Sequence, residues 1–456
     1  MAGIIRIHRK LFNTIFHFVL LPLSLLFVLL SACENPVQDF IGTNLFGPLY
    51  NLEVKKLAQT EAVNYGFSVA TYGDYIMVGA PANHSNMAAT ESAYIYHKTG
   101  PDKWEGPFSL PQPSDYTIGD RFGYSVSIYG DFAAVGAVDK TVKGKPNAGA
   151  VYIYKRIDGS TNKWKEVKRV TKAEQSPLLY PVTGNEQFGK SVKLYDKWLL
   201  ISAPYDGLNG PGSDYGTVYR FKYNGNDWEY DYLFLPNTQL DGAYFGMAID
   251  VNSSYAVIGA PGEDINGKSR VGSVYIYSFN NNKFEFKERI TNLERYTGDD
   301  DYFGGSLSLS GDFLAVGVGG AIVDSYFIAG KVQVYMLKDA TWNSIPTVLQ
   351  LNKPADYDFF GYPVAVKQVN DSDYILLAGC FDRDNGDLAD TGAVYIYTNT
   401  AGSNNWSLQK ELRPSDSSAN SFFGESIALG DDYAIVGACT PRDDTVYENG
   451  GVYIYR

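Results

Sequence analysis

One phrase recurs seven times along this 456-residue chain: an aromatic-Gly pair, a short apolar strand, a Gly-Asp-like turn, a second apolar strand ending near Gly-Ala-Pro, and then Val-Tyr-Ile-Tyr. The pairs are Tyr65-Gly66, Phe122-Gly123, Phe188-Gly189, Phe245-Gly246, Phe303-Gly304, Phe360-Gly361 and Phe423-Gly424. Their spacing of 57 to 66 residues is that of a repeat array. In the second copy, Tyr124 to Ile128, Asp131 to Ala137, Ala150 to Tyr154 and Trp164 to Val170 read as four strands joined by turn-forming residues, a small antiparallel sheet. No sustained helical period follows the first 33 residues, so the predicted class is all-β.

The composition of the strands decides how the sheets assemble. A sheet with one wet face alternates apolar and polar residues, yet Val151 to Tyr154, Val274 to Tyr277 and Val394 to Tyr397 are apolar or aromatic on both sides. Each sheet therefore needs a neighbour on both faces, which a ring of blades supplies: a seven-bladed β-propeller. The 36 tyrosines fit this plan, with ring bodies between blades and hydroxyls at the rim. The last copy reaches Val452 to Tyr455 without a fourth strand, while Leu52 to Leu57, ahead of the first copy, reads like one. Pairing the N-terminal strand into the C-terminal blade would close the ring and remove two sheet edges at once.

These residues resemble the FG-GAP repeat, the seven-bladed propeller unit of integrin α subunits and many bacterial surface proteins. Phe245-Gly246, Ile258-Gly259-Ala260-Pro261 and Gly272 to Tyr277 form the cleanest copy, and the resemblance covers Leu52 to Arg456. Copies drift: Tyr65 stands for Phe, Ser202 for the Gly of Gly-Ala-Pro, and Gly379-Cys380 and Ala438-Cys439 lose the Pro. The resemblance implies a fold and a bias toward extracellular recognition; it names no ligand.

The first 33 residues carry a separate signal. Arg6, Arg9 and Lys10 precede an apolar run from Phe16 to Leu30, followed by Ser31, Ala32 and Cys33, the layout of a secretory leader. Leu30-Ser31-Ala32-Cys33 resembles a bacterial lipobox, which implies lipidation of Cys33; Glu34 after it resembles lipoproteins sent to an outer membrane or cell surface. The expected domains are a leader at 1–32, a lipidated Cys and polar tether at 33–48 and the propeller at 49–456. The extended tether would span roughly 50 Å.

With 51 acids against 38 bases the net charge is −13, which speaks against a nucleic-acid partner. In an up-and-down blade the loops after the second and fourth strands open on one face, and most acids fall there, including Asp299, Asp300, Asp301, Asp356, Asp358, Asp443 and Asp444. That loop face is the expected contact surface. Calcium sites of the integrin type do not carry over, because Tyr72-Gly73-Asp74, Tyr129-Gly130-Asp131, Ser310-Gly311-Asp312 and Gly430-Asp431-Asp432 are tight turns, too short to gather six to eight oxygens. Asp382, Asp384, Asp387 and Asp390 around Asn385-Gly386 form the one candidate calcium loop. Cys380 and Cys439 read as equivalent positions of neighbouring blades, somewhat beyond usual disulfide reach, so two small buried thiols are the default and a disulfide the alternative.

Catalysis finds little support. Outside the leader only His84 and His97 remain, and no nucleophile elbow, phosphate loop or zinc spacing occurs. The expected function is a lipid-anchored extracytoplasmic binding or adhesion module, a monomeric propeller offering its acidic loop face to a protein or glycan. A scaffold subunit of an envelope assembly and a hydrolase or lyase with a loop-borne carboxylate pair are the alternatives.

Overall fold

The computed structural model describes residues 53–456 except 83–90, 176–180, 209–212, 238–239, 293–299, 343–344, 401–402 and 440–448. Among the described residues the chain forms seven antiparallel sheets, each paired in order from an inner strand to an outer one. Blade 2 is typical: Phe122–Tyr129, Phe132–Ala137, Ala150–Arg156 and Trp164–Val170, matching the four expected strands. Blade 5 departs from the plan, because its outer strand is split into Thr341–Trp342 and Thr347–Leu349. The inner strand of each blade touches that of the next, and the seventh touches the first, so the ring closes.

Closure happens as the sequence suggests, through a longer strand than expected. Glu53–Val63 pairs antiparallel with Asn449–Tyr455, and Leu57 lies opposite Val452. Lys56 Nζ meets Asp416 at 2.5 Å across the seam.

The hydrophobic core lies between blades. One buried cluster joins blades 1 and 2 through Met77, Ile95, Phe122 and Tyr152; another joins blades 5 and 6 through Phe313, Val334, Phe360 and Tyr395. Each aromatic of an aromatic-Gly pair is fully buried and packs on the first tyrosine, or equivalent, of its own blade's third strand, as Phe245 does on Tyr275 (ring centroids 5.2 Å) and Phe423 on Tyr453 (5.3 Å). The buried tyrosine hydroxyls find partners inside the protein: Tyr154 donates to the Pro111 carbonyl at 2.7 Å and Tyr277 to that of Leu235 at 2.9 Å.

The two glycines of the repeat phrase meet across each blade interface. The Gly of Gly-Ala-Pro in one blade faces the carbonyl of the aromatic-Gly pair in the next: a Cβ on Gly79 would sit 2.1 Å from Gly123 O, one on Gly259 2.0 Å from Gly304 O, and one on Gly437 2.2 Å from Gly66 O. A side chain there would force the blades apart, which explains why the phrase keeps two glycines so far apart in sequence. A serine three residues after the aromatic adds a link, since Ser68 Oγ donates to Gly123 O (2.9 Å), Ser125 Oγ to Gly189 O (2.6 Å) and Ser426 Oγ to Gly66 O (2.6 Å). In blade 3 the glycine is Ser202, and its hydroxyl turns inward to Ser191, accepting from its N–H at 2.9 Å.

Candidate functional site

Every blade enters its inner strand through the same turn. The residue before each aromatic takes a positive φ of 47° to 56°, and its carbonyl accepts from the N–H three residues on: Arg121 from Tyr124 at 3.2 Å, Gln187 from Lys190 at 3.0 Å, Phe422 from Glu425 at 3.1 Å. The loop after the second strand of one blade runs beside the turn entering the next, as Gln187 N bonding Asn147 O and Tyr302 N bonding Arg270 O show (both 3.0 Å). These loops and turns make one face, and the turns ring the mouth of an axial channel.

The channel has two chambers. The one at the loop face has a volume of about 780 Å³ and takes lining residues from all seven blades. The opposite one, about 680 Å³, is lined by the far halves of the inner strands. They share Val126, Val192, Ile249, Leu307 and Val364, each four residues after its blade's aromatic, so the waist is aliphatic.

The mouth is different. Two residues after the aromatics stand Phe67, Tyr124, Lys190, Met247, Gly305, Tyr362 and Glu425, to which Arg121 and Tyr205 add their side chains. Phe67 and Tyr124 pack at 4.9 Å between centroids. Two cations flank that tyrosine: Arg121 Cζ lies 4.7 Å from its centroid and Lys190 Nζ 4.5 Å, so the two charges stand no further apart than the sum of these distances. Lys190 also lies 5.7 Å from the Tyr205 ring. Burial pushes the Tyr205 phenol above its ordinary range and the nearby Lys190 charge pulls it back. In an acidic protein, this is a cationic, aromatic spot on the axis.

The expected site residues fare unevenly. Cys33, Asp299, Asp443 and Asp444 lie outside the described residues, as does His84. Asp300 pairs with Arg270 at the surface, and Asp356 accepts from Phe327 N at 2.7 Å. Asp301 and Asp358 correct the sequence reading, for both are buried rather than displayed. Asp301 accepts from Asn292 Nδ2 at 2.8 Å; Asp358 accepts from Ala355 N at 2.6 Å and from the Arg383 guanidinium at 2.5 Å. Burial pushes the Asp358 carboxyl up, opposed by those two partners. Asp120 and Glu186 hold the same place two residues before their aromatics; Asp120 is held by Lys140 at 2.9 Å, and Glu186 by Thr183 N at 2.5 Å. In these four blades the position is a buried carboxylate junction, built from different partners.

The candidate calcium loop is a turn of defined geometry. Among the described residues no group of three or more His, Cys, Asp or Glu side chains gathers as a metal site. The loop is a hairpin that other blades share: Asn385 pairs with Leu388 as Ile265 does with Lys268 and Val142 with Lys145. Asp384 accepts from Asp390 N at 3.0 Å, as Asp264 does from Arg270 N at 2.9 Å, so its carboxylate closes a turn. The cysteines are free thiols. Strand register explains why: Gly379 lies opposite Val394 and Gly437 opposite Val452, so Cys380 matches Ala438 and not Cys439. That offset of one residue sends Cys380 into the core, where its thiol meets the Asp358 carbonyl at 3.1 Å, while Cys439 lines the mouth. His97 stacks on Tyr75 with centroids 4.8 Å apart.

The mouth residues escaped sequence reading because each blade offers a different type there. Reading the residue two places after each aromatic, copy by copy, would have set Lys190 and Glu425 apart from the aromatics around them.

No curated protein matches the chain. Three segments, 112–154, 234–277 and 406–455, match the FG-GAP repeat, and they include the inner, second and third strands of blades 2 and 4 and the closing blade. The chain is thus a seven-bladed propeller in which three segments match the FG-GAP repeat, a fold suited to a binding or adhesion-type module.

Proposed function

We propose that this protein is a binding or adhesion module, held outside the cytoplasm by lipid on Cys33, and that the loop face of the propeller meets its ligand. The observation that carries the reading is a cluster of exposed aromatics on that face. Phe327 is 60% exposed, Tyr357 57% and Tyr326 43%. They are held rather than loose, since Tyr357 N donates to Phe327 O at 2.8 Å and Phe327 N to Asp356 at 2.7 Å. Ordered apolar side chains of this size facing water are typical of interaction surfaces.

The test is capture of envelope or matrix material by the full chain, compared with a Phe327→Ser/Tyr357→Ser variant. Loss of capture at unchanged melting temperature supports the reading; capture unaffected by the variant would sink it. Incorporation of a fatty-acid label that disappears in Cys33→Ala tests the anchor.

A second reading, a scaffold subunit of an envelope assembly, draws on a different observation. Val167, Tyr230, Phe286 and Leu408 stand exposed on the outer strands of blades 2, 3, 4 and 6, where a permanent partner could cover the blade sides. A stoichiometric complex that survives the loop-face variant favours that reading.

A further inference from the structure

We propose that the loop-side mouth of the axial channel binds an acidic sugar, a pyranose unit carrying a carboxylate, with Arg121 and Lys190 as the charged contacts. The inference rests on the binding-module reading and adds a site and a ligand class to it.

The first argument is the state of Arg121. Among the described residues its guanidinium makes no hydrogen bond; its nearest anion is Asp139, with Nε and Oδ2 3.8 Å apart, beyond hydrogen-bond reach. Nε is nevertheless buried. A guanidinium carries five donors in a rigid fork; here Nε is turned to Asp139 beyond hydrogen-bond reach, and the remaining donors of this 20% exposed side chain are available to a ligand in the mouth. The second argument is charge placement. Arg121 and Lys190 lie 4.7 and 4.5 Å from the Tyr124 ring centroid, Lys190 also donating to Gln187 Oε1 at 3.3 Å, so an anion at the edge of that ring is within reach of two cations.

The rest of the lining selects the body of the ligand. All seven blades close the chamber around its circumference, so a chain cannot lie across it; a terminal unit can enter. A volume of about 780 Å³ exceeds what one slender carboxylate side chain fills and suits one or two sugar rings. Phe67, Tyr124, Tyr205 and Tyr362 offer ring faces and phenol hydroxyls from four blades, and a pyranose presents apolar C–H faces with hydroxyls around its edge that either donate or accept. A peptide terminus would instead bring amide N–H groups needing acceptors, and among the described residues Glu425 is the one carboxylate of this lining. Below, the aliphatic waist offers nothing to a charged group, which keeps the anion at the level of the two cations.

The experiment is calorimetric titration of the full chain with a galacturonic acid trisaccharide, a neutral galactose trisaccharide and a triglutamate peptide. Saturable binding of the acidic sugar is expected, weakening as salt rises, with no binding of the neutral one. Arg121→Gln should weaken it about tenfold or more and Lys190→Gln by several-fold. Melting curves of each variant establish that the ring is intact. Equal binding of the neutral sugar, equal or tighter binding of the peptide, no binding of the acidic sugar, or indifference to Arg121→Gln in a folded variant would each overturn the proposal. If the acidic sugar fails while Phe327 and Tyr357 still govern capture of cellular material, the broader binding reading stands without this site; loss of both defeats both.

Discussion

Two levels of the same seven inner strands obey opposite rules. Four residues after the aromatics stand Val69, Val126, Val192, Ile249, Leu307, Val364 and Ile427, a single aliphatic class. Two residues nearer the loop face stand Phe67, Tyr124, Lys190, Met247, Gly305, Tyr362 and Glu425, which share almost nothing. At the waist each side chain must fit between identical neighbours, so departure in one blade strains two interfaces. At the mouth the strand emerges from between the blades, and each copy is free to take a different residue. Uniform positions hold the ring, and divergent ones give it chemistry.

That contrast can be broken or sharpened by mutation. The largest effect is expected from deleting Glu53–Val63, which leaves the last blade with an open edge: a fall in melting temperature of more than about 10 °C, or loss of cooperative melting by circular dichroism. A truncated chain melting like the full one would mean that the seam contributes little. Next, Gly259→Val would drive a side chain into the Gly304 carbonyl and should cost about 3 kcal/mol or more in denaturant titration, whereas Gly267→Ala, with open space around it and only its positive φ to strain, should cost about 1 kcal/mol. Ile249→Ala at the waist should destabilise by about 2 kcal/mol or more, and Met247→Ala at the mouth by less than about 1 kcal/mol; equal values would erase the distinction between the two levels. Ser125→Ala removes one link to the next blade and should cost about 1 kcal/mol.

The smallest expected effect is a failure to react. Burial holds the Cys380 thiol well above its ordinary range, so almost no thiolate exists at pH 8 and alkylation detected by mass spectrometry should wait for unfolding. Prompt labelling of native Cys380 would show that the core opens there.

How legible each level was follows from the same contrast. Repetition exposes whatever is constant, and so the aromatic-Gly pairs, the doubly greasy third strands and the missing fourth strand gave the ring, its blade number and its closure. The mouth was hidden because Lys190 and Glu425 occupy one register position that no periodic pattern constrains. Charge misled for a related reason: Asp301 and Asp358 read as display residues, since a sequence reveals that a carboxylate exists without revealing Asn292 or Arg383 beside it. Asp384, read from its spacing as a candidate calcium ligand, closes a turn in the same way as Asp264, which spacing does not reveal. Cys380 and Cys439 are the two small buried thiols that the sequence favours, but reading them as equivalent positions is a register error of one residue, enough to turn one side chain from core to axis.

The seam has a mechanical side. Glu53 sits opposite Tyr455, so whatever precedes Glu53 in the chain is tied directly to the strand that fastens the ring. For a molecule tethered ahead of that residue and gripping something at its far face, tension would reach this one pair of strands before any other blade, and the fastening would act as the fuse that fails first.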